Sequence, residues 1–269
     1  MFIGRGVSGH NFYFGKIPLF ANQQSKWMRP FNSEGGMMRK KIIWSVVGLW
    51  VVVTLILNSC GGSGSSSGTT PPVITAGIGS FQNSSMPPGF PTASVTVKDG
   101  STGADITNAT AIINGVTLIY NSAVGHQAYE GNVAVSPGQA VTFTVTTGGV
   151  MYTASGAQFT SYPTISAPLS MTTWSSGSTN LVAWSGGAPK TNAVYLLGVL
   201  NANDPDGDPI WPIQAVQTTT TSYPIPSGSL TAGSRYVLVG IATTVSIPNA
   251  GSNSAFMICG FDAVPITVN

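Results

Sequence analysis

The sequence predicts an all-β protein, with two β-sandwiches in tandem behind an N-terminal apolar run and a Gly/Ser tether. Three observations lead there. The chain holds 33 Gly and 18 Pro while charged residues make up only 7%, so turns are plentiful and ion-paired amphipathic helices are not expected. From Thr92 onward, short runs rich in Val, Ile, Thr and Tyr recur between Gly, Asn, Asp and Pro turn signals, as antiparallel strands require. Several of these runs alternate apolar and polar residues, the mark of a strand with one buried and one wet face.

Residues 1–36 show no periodicity. Residues 37–59 carry the parts of a secretory signal: a positive region in Arg39, Lys40 and Lys41, an uncharged apolar run over 42–57, and a small-residue end. The closing tetrapeptide Leu57-Asn58-Ser59-Cys60 resembles the lipobox of bacterial lipoproteins. Leu57 matches the −3 position, Ser59 the −1 position and Cys60 the modified residue, whereas Asn58 departs from the usual −2 residue. The resemblance implies cleavage between Ser59 and Cys60, a diacylglycerol on the Cys60 thiol, palmitate-type acylation and a membrane anchor; two chains suffice where one is marginal. An uncleaved anchor is the alternative. A spanning helix needs about 20 apolar residues, but this run is shorter and ends in Asn-Ser-Cys-Gly-Gly without a positive flank. Such a signal normally starts at its initiator Met, so translation is expected to begin at Met37 or Met38. The codons of Ser33-Glu34-Gly35-Gly36 could then hold a purine-rich ribosome-binding sequence. A genuine cytoplasmic extension is the alternative.

Residues 60–91 read as the lipidated Cys and a linker. Residues 61–72 form a Gly/Ser tether closed by Pro71-Pro72, with a root-mean-square reach on the order of 20 Å. By resemblance to lipoprotein sorting in many Gram-negative bacteria, Gly61 in place of Asp is compatible with the outer membrane. Beyond Cys60 the basic residues are Lys98, Lys190 and Arg235, against Asp99, Asp105, Glu130, Asp204, Asp206, Asp208 and Asp262, a net charge of −4. That balance argues against nucleic acid or anionic lipid headgroups as partners, because both need clustered Lys and Arg. Cys259 is the only other cysteine; it reads as a small buried hydrophobe, and no disulfide framework is expected.

The first sandwich is expected over 92–168. Ser94-Val95-Thr96-Val97 alternates, Asp99-Gly100 turns, and Asn114-Gly115 stands between two apolar runs as a hairpin turn. Ser136-Pro137-Gly138, the alternating run 141–146 and Gly148-Gly149 continue the series. This pattern resembles immunoglobulin-like or carboxypeptidase-regulatory-like domains. The second sandwich, over 169–269, resembles fibronectin type III. Asn180-Leu181-Val182-Ala183-Trp184 matches that family's second strand, and Leu230-Thr231-Ala232-Gly233-Ser234-Arg235-Tyr236 matches its L-x-P-G-T-x-Y corner, with Ala232 and Ser234 as departures. The resemblance implies that Trp184 lies in the core, that Leu230 plugs the sandwich end and that the Tyr236 hydroxyl bonds nearby backbone. A generic immunoglobulin-like sandwich is the alternative. Residues 194–200 and 236–242 are apolar at odd and even positions alike. Both faces of these strands therefore need cover; the fibronectin type III resemblance implies that they are neighbours, so an apolar outer face is expected under the first domain, a loop or another protein.

Chemistry is sparse. Asp204, Asp206 and Asp208 crowd one turn beside Gly207 and could offer oxygens to calcium, but the spacing fails the EF-hand register and an exposed turn between strands is the better explanation. After the signal, His126 is the only histidine and Glu130 the only glutamate, so neither a multi-histidine zinc site nor a sequence-adjacent carboxylate pair can be drawn there. Trp211, beside the acidic turn, is the expected exposed aromatic for stacking on a sugar. No enzyme activity and no cofactor are expected. The expected function is a cell-envelope lipoprotein displaying two β-sandwiches for non-catalytic binding or structural interaction, its partners a membrane and an envelope protein or polysaccharide. The alternative is a carbohydrate-binding surface protein, calcium-assisted.

Overall fold

The computed structural model describes residues 70–82, 92–123, 127–187, 190, 192–205, 209–217 and 219–269. The chain divides into two compact units, Met1–Lys41 and Ile42–Asn269, and every described residue belongs to the second. Among the described residues the secondary structure is all strand, with no helix, in three sheets of sandwich character.

The first strands are β1 (Val73–Phe81) and β2 (Ala93–Lys98), followed by β3 (Thr110–Ile113) and β4 (Val116–Thr117). The β3–β4 turn is Asn114-Gly115, whose φ values of 48° and 78° are the left-handed pair a two-residue hairpin needs. Next come β5 (Ile119–Asn121), β6 (Ala128–Gly131), and the hairpin of β7 (Ala140–Thr147) and β8 (Val150–Ala157). Then β9 (Pro163–Ala167), β10 (Thr172–Trp174), β11 (Asn180–Gly186), β12 (Val194–Asn201), β13 (Trp211–Val216) and β14 (Ser222–Ile225) lead to two long strands, β15 (Gly233–Ser246) and β16 (Ala255–Val268).

A long sheet runs in the order β13-β12-β15-β16-β1-β2-β6-β5, and two small sheets run β4-β3-β7-β8 and β14-β11-β9. β15 and β16 pair over all 14 residues, Gly233↔Val268 to Ser246↔Ala255. At ~3.3 Å per residue this hairpin is roughly 45 Å long, enough to back both small sheets. One edge of β16 serves two parallel partners end to end, β1 from Thr75↔Ala255 and β10 from Thr172↔Ile266. Strand pairing thus crosses the intervals read from sequence. β1 lies in the expected linker yet is an interior strand of the long sheet, and β9 lies within 92–168 yet pairs β11.

The small sheets bury two cores against one face of the long sheet. In the first, Ile113, Phe143 and Val145 meet Ile74, Ile78, Val95, Phe256 and Ile258, with the Phe143 and Phe256 rings stacked at 5.2 Å. In the second, Ile165, Val182, Trp184 and Ile225 meet Tyr195, Leu197, Val237, Val239 and Ile266. Trp184 and Leu230, 2% and 4% exposed, take the core places the sequence implied. Between the cores the chain crosses β16. A Cβ on Gly260 would stand 2.1 Å from Tyr162 Cδ1, so only glycine lets the ring lie there. Beside it the buried Gln158 Nε2 donates to Ser80 Oγ (3.1 Å) and the Cys259 carbonyl (2.8 Å), and Asp262 accepts from the Ile165 N–H (2.8 Å). These bonds satisfy polar groups that burial would otherwise penalise.

Candidate functional site

Of the residues singled out from sequence, Ser59, Cys60, His126, Asp206 and Asp208 lie outside the described residues. Asp204 is exposed, and its N–H donates to the Asn201 carbonyl (3.2 Å) in a local bridge. Asn201 Oδ1 accepts from the Asn203 N–H (3.2 Å) and from Arg235 Nη1 (3.3 Å). The described part of this turn is therefore tied to the end of β12 and β15. Among the described residues no three His, Cys, Asp or Glu side chains converge as metal ligands would.

Trp211 is a correction. It is 7% exposed and packs in the second core, its ring 5.7 Å from that of Tyr223. The cause is register: Trp211 pairs with Val199, one of the β12 residues that face this core. Trp174, Trp184 and Tyr195 are buried there too. The sugar-stacking surface expected around Trp211 is core instead.

The corner after β14 is also built differently. Odd positions of β15 face the second core, so Arg235, not Tyr236, points to that end. Its guanidinium donates to the carbonyls of Ser234 (2.8 Å), Thr231 (3.0 Å) and Ala232 (2.5 Å). Tyr236 lies on the opposite face of the sheet. A tyrosine that bonds backbone across a corner does occur, in the first half. The Tyr129 hydroxyl donates to the Ile106 carbonyl (2.9 Å) and accepts from the Ala109 N–H (2.7 Å). Burial raises its pKa above the ordinary phenol value.

The other described carboxylates are dispersed in structural roles. Asp99 Oδ1 accepts from the backbone and hydroxyl of both Ser101 and Thr102, which close the β2 turn. Asp105 pairs with Lys98 at 2.6 Å, and Glu130 accepts from Asn121 Nδ2 at 2.9 Å. Lys190 donates to the Ala157 and Gln158 carbonyls over the Phe159 ring, and burial lowers its pKa. Among the described residues, grooves open at two places on the surface. One of about 300 Å³ lies by Phe81, Pro137 and Tyr162, and one of about 560 Å³ by Thr144, Thr153, Ser155 and Ser246. Their linings carry hydroxyls, the Gln82 amide and apolar groups but no carboxylate, imidazole or amine, so neither groove brings an ionisable general acid beside a general base of that kind.

The most distinctive surface is the second face of the long sheet. β12 and β15 pair as neighbours, as the fibronectin type III resemblance implied, and the alternate side chains separate cleanly. Leu197, Val199, Val237 and Val239 enter the second core, whereas Leu196, Leu200, Leu238, Ala242, Met257, Cys259, Phe261 and Ala263 form a third cluster behind the sheet. Gly198 and Gly240 leave hollows there that Ile213 and the Phe261 ring fill; a Cβ at either would come within 2.5 or 2.3 Å of them. Cys259 is fully buried, and burial pushes its thiol well above the usual range, so it stays protonated and serves as a small apolar group.

No protein-family model matches the chain, and a comparison with curated proteins finds no match.

Proposed function

We propose that this chain is the precursor of a cell-envelope lipoprotein, lipidated at Cys60 and held by its acyl chains at a membrane, by its Gly61 context the outer one. The observation that carries this reading is the order of parts: positive residues, the apolar run 42–57, Leu57-Asn58-Ser59-Cys60, then a Gly/Ser tether ending at Pro72, one residue before β1. The two halves of the strand region act as an immunoglobulin-like and a fibronectin type III-like module, presented for non-catalytic binding or structural contact with an envelope protein or polysaccharide. The carbohydrate alternative loses its main aromatic, since Trp211 is buried.

Metabolic labelling with an alkynyl palmitate tests the anchor. Label is expected on the wild-type chain, with a mature N-terminus at Cys60, and is expected to vanish in Cys60→Ala. An unlabelled wild type, or a mature N-terminus upstream of Cys60, would overturn the reading.

A further inference from the structure

The strands that end the three sheets are β13 and β5, β4 and β8, and β14 and β9. An open edge offers its unpaired N–H and C=O groups to any other chain, and proteins blunt such edges with short strands, proline or charge. Most edges of this protein are blunted. β4 and β5 run to two and three residues, β13 and β14 carry Pro212 and Pro224, and β9 begins at Pro163 and is followed by Pro168. Among the described sheet ends β8 alone is not: its eight residues, Val-Met-Tyr-Thr-Ala-Ser-Gly-Ala, hold neither proline nor a charged group. Val150 and Met151 are 51% and 66% exposed, and Thr153 and Ser155 are exposed as well.

Backbone parity shows which groups are open. Thr147 and Val150 face each other across the two-residue turn Gly148-Gly149, and the pair that closes such a hairpin exchanges its hydrogen bonds. Val150, Tyr152, Ala154 and Gly156 therefore bond to β7. Met151, Thr153 and Ser155 turn their N–H and C=O groups to the other side, where no strand pairs among the described residues. Ala157 has the same parity, and its carbonyl accepts from the Lys190 ammonium, so Lys190 closes only the last position. The open edge is also complementary to itself. When two copies pair antiparallel about a two-fold axis at Thr153, Thr153 meets its counterpart and Met151 meets Ser155, and each of these residues directs its backbone groups outward. No charge opposes a like charge, and Thr opposite Thr is a favourable cross-strand pair.

We propose that β8 is a homodimerisation edge: two copies of the chain join β8 to β8, antiparallel about Thr153, and fuse their β4-β3-β7-β8 sheets into one continuous sheet. Residues 151–155 of each copy make the ladder, a contact below the ~1,200 Å² of a stable interface, so the pair is a weak one that forms as copies concentrate. The proposal rests on strand geometry and not on lipidation.

Cysteine cross-linking of the full chain carrying Cys60→Ala, in mild detergent, reads the register. Its remaining thiol, Cys259, is fully buried, so this parent should give no disulfide dimer. In the proposed pair the Cα atoms of Thr153 and its counterpart stand about 5.5 Å apart, within reach of a disulfide. Met151 and its counterpart stand roughly 14 Å apart along the strands, and so do Ser155 and its counterpart. Thr153→Cys should therefore dimerise on oxidation, with a yield that rises with protein concentration. Met151→Cys and Ser155→Cys should each dimerise about tenfold more slowly alone and should join each other when mixed. Adding Thr153→Lys, which sets two like charges opposite one another, should abolish the mixed pair at an unchanged circular dichroism spectrum. Equal cross-linking at all three positions, or none at Thr153→Cys, would overturn the proposal. So would a mixed pair that survives Thr153→Lys.

Discussion

Gly260 is the point where the two cores meet, and Gly260→Ala probes the crossing directly. The added methyl would stand 2.1, 2.6 and 2.8 Å from Tyr162 Cδ1, Cε1 and Cγ, well inside the ~3.5–4 Å of an ordinary carbon contact. The obstacle is the body of a ring, not the end of a flexible chain. Tyr162 is 5% exposed, and moving it disturbs the crossing segment that Gln158 fastens to Ser80 and Cys259. Overpacking of this kind costs about 1–3 kcal/mol, and the severity of the overlap places Gly260→Ala near 3. Tyr162→Ala alone should cost about 3 kcal/mol by the cavity it leaves. In the double variant the methyl enters that cavity and recovers about 0.8 kcal/mol, so the pair should cost only about 2–3 and not the sum. Urea denaturation followed by circular dichroism and tryptophan fluorescence measures all three. A Gly260→Ala protein within about 0.5 kcal/mol of wild type, or additive costs in the double variant, would refute the packing argument.

Three further outcomes are expected. The Asp99 carboxyl is held well below the usual carboxylate range, first by the Ser101 hydroxyl and then by the Thr102 N–H. Its folded pKa lies below its unfolded one, so its stabilisation is present above the unfolded value and is lost as pH falls through the folded value. Carbon-detected NMR titration should therefore give Asp99 a midpoint below the usual carboxylate range, and Ser101→Ala should raise it. Arg235→Leu leaves the carbonyls of Thr231, Ala232 and Ser234 without their charged donor and should cost about 2–4 kcal/mol in the same denaturation assay. Trp211→Ala should lower stability by about 3–5 kcal/mol, as a core aromatic does, whereas a binding aromatic at the surface would leave stability within about 0.5 kcal/mol.

Local features were legible from sequence where one residue type has one physical use. The Asn114-Gly115 and Gly148-Gly149 turns, with φ of 48° and 78° and of 56° and 78°, follow from the tolerance of Asn and Gly for the left-handed region. The apolar back face was legible because residues 194–200 and 236–242 break the alternation a half-wet strand must keep. β1 was missed because Gly77 and Gly79 weaken its strand signal, although Ile74, Ala76 and Ile78 alternate into the first core. Trp211 was misplaced because a polar turn beside an aromatic suggests exposure, while pairing with Val199 on a distant strand decides which way the indole faces. The corner failed for a related reason. Family likeness put the hydroxyl of Tyr236 at the backbone, but strand parity gives that place to Arg235.

The position of β1 bears on how an anchored protein of this kind would carry load. The tether enters at Val73, and β1 is bonded along one side to β16 in parallel from Thr75 to Phe81 and along the other to β2 in antiparallel from Val73 to Ile78. A pull on the N-terminal end of β1, as the proposed anchor would exert, would therefore act along two ladders at once, in the direction that shears many hydrogen bonds together. An edge strand would present only one ladder. β16 continues past β1 to pair with β15 along its whole length, and it contributes Phe256 and Ile258 to the first core and Ile266 and Val268 to the second. On the proposed anchoring, force at the N-terminal end of β1 would thus be shared between both cores through one strand.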